Sequence, residues 1–355
     1  MIEIDGSYGE GGGALLRVST ALSALTGNPI HIKSIRAGRP KPGLMPQHLN
    51  AISVLQKLSK AKVNGLKIGS EEISFIPQSL QKGNFQVDVG TAGSITLILQ
   101  AFMIPSSFAP GPVKIKLNGG TDVRWAPPVD YLQNVTLPIL RSIGHQINLK
   151  LLKRGYYPQG GGRLAAHMKP GNNFQPFHIH NLQLDFIRGV SHCNKLPRHV
   201  ADRQALAAEK KLKIAGYDSQ IVIETANDSI GPGSGIVLWS ESKDKTSNPL
   251  GRVGGSSLGE PGKRAELVGQ EAAIELLRHL SIGAPLDRYM ADQIIPYMAI
   301  HGSSTVKIAE LTSHTLTNIY AAEKILSHHF QVRGRLGEPA TIKLIKNRKL
   351  KQKQP

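Results

Sequence analysis

The 355-residue chain holds a single cysteine, Cys193, which excludes an internal disulfide framework and any metal site built on clustered thiolates. No stretch approaches the roughly 18 uninterrupted apolar residues of a membrane span. The opening MIEIDGSYGEGGG lacks a basic start and an apolar segment, so no secretory signal is expected. Neither CxxC, HExxH nor a Ser-His-Asp arrangement is found. These absences lead to the expectation of a soluble, cytoplasmic protein. Acidic residues are also scarce: 25 Asp and Glu stand against 43 Lys and Arg, a formal charge of +18. Five of the positive charges (Lys346, Arg348, Lys349, Lys351 and Lys353) fall in the last ten residues, where a frayed basic tail over 346–355 is expected. The body stays strongly basic without them, which favours polyanionic partners, although a generically basic chain would look similar.

What is present is a repeated order of elements, read from apolar periodicity and from the placing of 37 glycines and 22 prolines. A strand over 1–5 runs through a glycine stretch into a helix with Leu15, Val18, Leu22 and Leu25 on one face, closed by Gly27. A strand over 29–35, a helix over 45–58 with Met45, Leu49, Ile52 and Leu55 inward, and two short strands complete the unit by residue 77. The order returns as a strand (85–89), a helix (91–104), a strand (112–117), a helix (128–144) and a closing pair of strands (145–153 and 162–168). A third copy is expected over 261–345, with helices after Pro261, over 287–300 and over 314–326. The fold class is therefore α/β (α+β), with three βαβαββ units over 1–184 and 261–345 sharing one core. Residues 185–260 break the rhythm and are predicted to form a smaller inserted α/β domain, with a helix over 199–214 and strands over 221–225 and 236–240.

Several segments carry chemistry. GEGGGALLR (9–17) joins a strand to a helix, where glycines let the backbone approach an anion and the helix start supplies free N–H groups. It matches neither G-x-G-x-x-G nor the P-loop. Glu10 inside it would repel a phosphate unless a divalent cation bridged them. The loop 34–50 places Arg36, Arg39 and Lys41 before a helix whose first turn holds Gln47 and His48, and arginine forks suit phosphate. Further glycine-rich turns occur at 118–128 and 156–163. In 310–326, Thr312 or Ser313 is the expected N-cap, which puts His314 in the first turn. The helix dipole there disfavours imidazolium and leaves a neutral, nucleophilic imidazole beside an anion-binding end. On this ground alone, a histidine at a helix start is more often a polar cap than a nucleophile.

Taken together, DGSYGEGGGALLR, SIRAGRPKPGL with QHL, GTAGSITLILQ, GGTD with APP, YYPQGGG, YMADQ and SHTLTN resemble the RNA 3′-terminal phosphate cyclase family, in that family's order. The resemblance implies three βαβαββ units with a smaller α/β domain inserted before the third. It implies ATP as nucleotide, Mg²⁺ or Mn²⁺ as metal, and an RNA with a 3′-phosphate as partner; a homodimer is compatible with it. By the same resemblance His314 is the histidine that takes AMP on Nε2. Gln100, Pro127, Tyr289, Met290, Ala291, Asp292 and Gln293 then fall on ATP-contacting positions. Glu10 matches a metal-binding carboxylate, and Arg17, Arg36, Arg39 and Gln47 match residues around the triphosphate and the RNA terminal phosphate. Other readings are a non-catalytic cyclase-like scaffold of ribosome assembly, an enolpyruvyl transferase of similar architecture, and adenylylation of 5′-phosphate ends. Sequence does not separate the last from cyclisation.

Overall fold

A computed structural model describes residues 1–171, 174–242 and 250–345. The expected tail over 346–355 and most of the polar loop over 240–251 lie outside the described residues. The first unit runs β1 (Ile2–Asp5), α1 (Gly13–Thr26), β2 (Ile30–Lys33), α2 (Pro46–Ser59), β3 (Lys62–Asn64) and β4 (Ile73–Ile76). Its sheet order is β1-β2-β4-β3, with the first pair parallel and the others antiparallel.

The second unit repeats this with β5 (Gly83–Asp88), α3 (Ile95–Ser106), β6 (Val113–Gly119), α4 (Val129–Tyr131), α5 (Leu137–Ser142), β7 (Gln146–Lys153) and β8 (Gly162–Lys169), in the order β5-β6-β8-β7. The expected helix over 128–144 runs unbroken over 129–142 but changes pitch: a π turn over Leu132–Thr136 separates α4 from α5, with Pro138 in the first turn of α5. Pro138 cannot donate a backbone hydrogen bond, so a regular ladder cannot run through it.

The third sheet corrects the expected boundaries. Its first strand is β9 (His178–Ile179), which pairs in parallel with β14 (Thr305–Ile308). The order β9-β14-β16-β15, with β15 (His329–Arg333) and β16 (Ala340–Ile345), matches the other two sheets. Between β9 and β14 lie α8 (Arg288–Gln293) and α9 (Ile295–His301), and α10 (Ser313–Leu326) follows β14. The expected helix over 287–300 divides at Ile294, with Pro296 in the first turn of α9. The insertion therefore interrupts the third unit after its first strand. Phe177 and Ile179, then Leu182 and Leu184, alternate with polar residues, but a two-residue strand within such a run does not show which sheet it joins.

The inserted sheet is β11-β10-β12-β13, from β10 (Phe186–Asn194), β11 (Ser219–Ala226), β12 (Gly233–Glu241) and β13 (Gly254–Leu258), covered by α6 (His199–Ile214) and α7 (Ala265–Ile282). The helix after Pro261, expected in the third unit, packs here: Val268, Ala272, Ala273 and Leu276 join Ile187, Ala208, Leu212, Ile236 and Leu238 in a separate apolar cluster. The glycine- and serine-rich stretch 253–264 holds β13, an assignment that propensity opposes. Gly255 explains it, since a Cβ there would meet the Ala272 carbonyl at 2.5 Å under α7.

One large core spans all three units, with α1 against α2, α3 and α10. Where the inserted sheet meets the second unit, buried Arg154 reaches Asp130 at 2.7 Å, Asp122 at 3.3 Å and Glu224 of β11 at 2.7 Å. The pairing matters because an unpartnered charge at this depth costs several kcal/mol, on the order of 3–5. Among the described residues, no helix is long and apolar enough to cross a membrane.

Candidate active site

The first helices of the three units converge. Arg17 of α1, Gln100 of α3, and Tyr289, Asp292 and Gln293 of α8 line one cavity of about 490 Å³. Pro127, from the loop after β6, and His314, from the start of α10, complete its walls. The volume falls within the range of small-molecule sites. Two polar atoms of the cavity are buried without a partner among the described residues, Gln100 Nε2 and Asn318 Oδ1. One donor and one acceptor left open suit a ligand that carries both.

His314 owes its place to the cap. Thr312 Oγ1 accepts from the Thr315 N–H at 3.1 Å, which makes Thr312 the N-cap and sets His314 in the first turn. Opposite it lies the glycine loop. Gly9 has φ +63°, and a Cβ there would come within 2.4 Å of Thr317 Oγ1. Only glycine allows that approach, and it brings Glu10 Oε2 to 3.1 Å from His314 Nε2. Tyr8 stacks on Tyr320 with centroids 3.9 Å apart, which fixes the same loop along α10.

Arg39 Nη2 lies 3.7 Å from the same Glu10 oxygen and donates to the Glu10 carbonyl at 3.2 Å. The His314 imidazole is held below its usual pKa, chiefly by burial and then by Arg17, Arg39 and Arg288, while Glu10 opposes the shift. Burial pushes the Asp292 carboxyl up to about 7 against the pull of Arg17, and lowers Arg17 to about 10. Arg17 nevertheless stays charged at neutral pH.

The expected residues divide. Met290 and Ala291 do not line the cavity: both are 0 % exposed and belong to the large core, because α8 is helical and turns that face inward. Arg36 lies outside it too, its Nη1 donating to the carbonyls of Lys41 at 2.7 Å and Gly43 at 3.0 Å to shape its own loop. Gln47 packs in the first turn of α2 near Gly93, also off the cavity wall. Among the described residues, the trio able to hold a metal is Asp122, Asp130 and His192, away from Glu10. Glu10 is thus a lone carboxylate, and a cation there would take its remaining ligands from phosphate and water, the usual habit of Mg²⁺.

Sequence reasoning missed Asp287, Tyr131, Arg288 and Asn318. Asp287 is fully buried and caps α8, accepting from the Tyr289 and Met290 N–H groups at 2.9 Å, Tyr131 Oη at 2.6 Å and the Gly254 N–H at 2.8 Å. An Asp one residue before a helix was a readable cap signal. The partners from α4 and β13 were not.

The family model for RNA 3′-terminal phosphate cyclase matches residues 8–332. Proteins of that name from Pyrococcus furiosus, Methanothermobacter thermautotrophicus and Methanopyrus kandleri are 49%, 47% and 46% identical. The matches cover 98%, 97% and 97% of this chain and 99%, 100% and 98% of the relatives. A solved enolpyruvyl transferase, NikO from Streptomyces tendae, is similar over 48% of this chain and 33% of its own at a TM-score of 0.26 and 14% identity, too faint a likeness to support any conclusion. A full-length match at nearly half identity decides the matter, and the chain belongs to the RNA 3′-terminal phosphate cyclase family of enzymes.

Proposed function

We propose that the protein uses ATP to convert an RNA 3′-phosphate end into a 2′,3′-cyclic phosphate through AMP carried on His314, in the cytoplasm. The observation that carries this reading is that His314, Arg17 and Gln100, whose Nε2 is buried without a partner, line one cavity while Glu10 reaches His314 Nε2 from the glycine loop beside it.

His314 Nε2 attacks the α-phosphorus of ATP, the bond to the pyrophosphate oxygen breaks, and a histidine-AMP phosphoramidate forms. An oxygen of the RNA 3′-phosphate then displaces the imidazole, giving RNA(3′)pp(5′)A. The adjacent ribose 2′-OH attacks the RNA phosphorus, its proton passes to water, AMP departs and the ring closes. Since nucleophile and phosphorus belong to one nucleotide, closure needs little beyond positioning. Arg17 and Arg39 hold phosphate oxygens by charge-assisted hydrogen bonds. Mg²⁺ or Mn²⁺, when bound, would neutralise triphosphate charge, and Glu10 is the carboxylate placed to hold it. Attack through Nε2 needs the ring proton on Nδ1, so the Nε2 hydrogen that faces Glu10 passes to that carboxylate or to water while Nδ1 takes up a proton. Gln100, Pro127, Tyr289, Asp292 and Gln293 surround the nucleotide.

A non-catalytic scaffold is disfavoured by the same observation, since a scaffold has no use for an imidazole held neutral at the wall of a cavity. The test is to incubate the protein with α-labelled ATP, metal and an RNA ending in 3′-phosphate. Acid-labile label on the protein, lost in His314→Asn, and a phosphatase-resistant 3′ end are expected. Formation of only a 5′-AMP cap would overturn the proposal.

A further inference from the structure

Aromatic residues make up only 5% of the chain. Three of them, each in a glycine-rich loop, face solvent: Tyr8 at 42 % exposure, Tyr157 at 74 % and Trp125 at 94 %. Tyr8 is already stacked on Tyr320, and Tyr157 lies off the cavity. Trp125 is different, for it borders the same cavity as His314 and Arg17 while remaining almost wholly exposed.

The loop around Trp125 is well anchored. The Val129 N–H donates to the Thr121 carbonyl at 3.1 Å, Thr96 Oγ1 donates to the Pro127 carbonyl at 2.9 Å, and Arg124 pairs with Glu260 beyond β13. Between these ties Trp125 has φ +67°, a left-handed conformation that bulky side chains avoid. No described residue forms an aromatic pair with its indole or accepts from its N–H. Fixed ends, a strained centre and an uncovered indole at a cavity rim form a combination that packing alone does not call for.

We propose that Trp125 is the stacking platform for the 3′-terminal nucleobase of the RNA. This rests on the cyclase reading given above and extends it to how the end is gripped. Single-stranded RNA is held by base stacking on exposed aromatic faces beside a positive groove. The positive wall is present, since Arg17 and Arg288 line the cavity and Arg39 stands behind Glu10. The adenine of ATP is the weaker candidate occupant. Pro127, Tyr289 and the open Gln100 amide wall the interior, whereas a side chain at 94 % exposure encloses nothing. A strand arriving from solvent meets the rim first. Every base has a π-face, so the platform accepts any terminal base and discriminates against an abasic end.

The chain has two tryptophans, and Trp239 is buried at 6 % exposure, so fluorescence quenching by a ligand in solution reports Trp125. Without ATP, a short 3′-phosphorylated oligoribonucleotide should quench the emission. One with an abasic 3′-terminal nucleotide should not, and should bind about ten-fold more weakly. Trp125→Ala should lose about the same factor in RNA affinity, Trp125→Phe should recover most of it, and formation of protein-bound AMP should fall far less. Unchanged RNA affinity in Trp125→Ala, or a loss falling mainly on AMP formation, would overturn the proposal. A product assay on the same RNA reads the cyclase assignment separately: if no cyclic end forms while base-dependent quenching persists, that assignment fails and the stacking role is supported.

Discussion

Glu10 Oε2 and His314 Nε2 lie 3.1 Å apart although 304 positions separate them in the chain, and this contact joins the first unit to the third. It places a carboxylate against the nitrogen that the proposed chemistry requires, with Arg39 drawn to the same carboxylate.

The contact sets a pH dependence. Burial and three arginines lower the His314 pKa while Glu10 raises it. A lowered histidine pKa keeps the imidazole neutral to more acid pH than an ordinary one, so the acid limb of the AMP-transfer rate should fall below about 6.5. Glu10→Gln removes the opposing contribution and should move the limb further to acid, while the plateau drops on the order of 100-fold. Single-turnover AMP transfer from ATP across pH 5–8 measures both. A limb that moves toward neutral pH would contradict the geometry.

Gly9→Ala should separate positioning from stability. Its left-handed φ costs an alanine about 1–2 kcal/mol, and the added Cβ would sit 2.4 Å from Thr317 Oγ1. The loop must then lift and carry Glu10 away from His314. A modest fall in melting temperature with a ten-fold or larger loss of AMP transfer is expected. Gly9→Ala, Thr317→Ala should recover part of the loss, because the clashing hydroxyl is gone.

Asp287 holds four donors from three elements while fully buried. Asp287→Ala leaves them unsatisfied and should destabilise the protein by about 3 kcal/mol or more. Denaturant unfolding gives the value. Tyr289 depends on this cap, so nucleotide affinity should fall in parallel.

Asp292 should make the protein less stable as pH rises. Burial pushes its folded pKa up to about 7, well above the ordinary aspartate value near 4. Between those values the folded state holds a proton that the unfolded chain has lost, so ionisation opposes folding as pH rises from about 4 to 7. Asp292→Asn cannot ionise, and its melting temperature relative to the parent should therefore improve from pH 5 to about 7 and level off above that. A difference independent of pH would show that Arg17 compensates the charge fully.

Much of this protein could be read along the chain. Local chemistry set the glycine loops, the Thr312 cap, the place of His314 in a first turn, and the α/β units, because periodicity and capping depend on neighbours within about four residues. The ordered motifs also carried the family. Folding decided the rest. That β9 belongs to the third sheet and α7 to the inserted one is fixed by which apolar faces meet, since a two-residue strand and an amphipathic helix are indifferent to partner until packed. Met290 and Ala291 could not be told from Tyr289 and Asp292 in one motif until the helix chose its inner face. Above all, Glu10, Arg17, Gln100 and His314 come from three separate units, and only the close packing of those units turns them into one site.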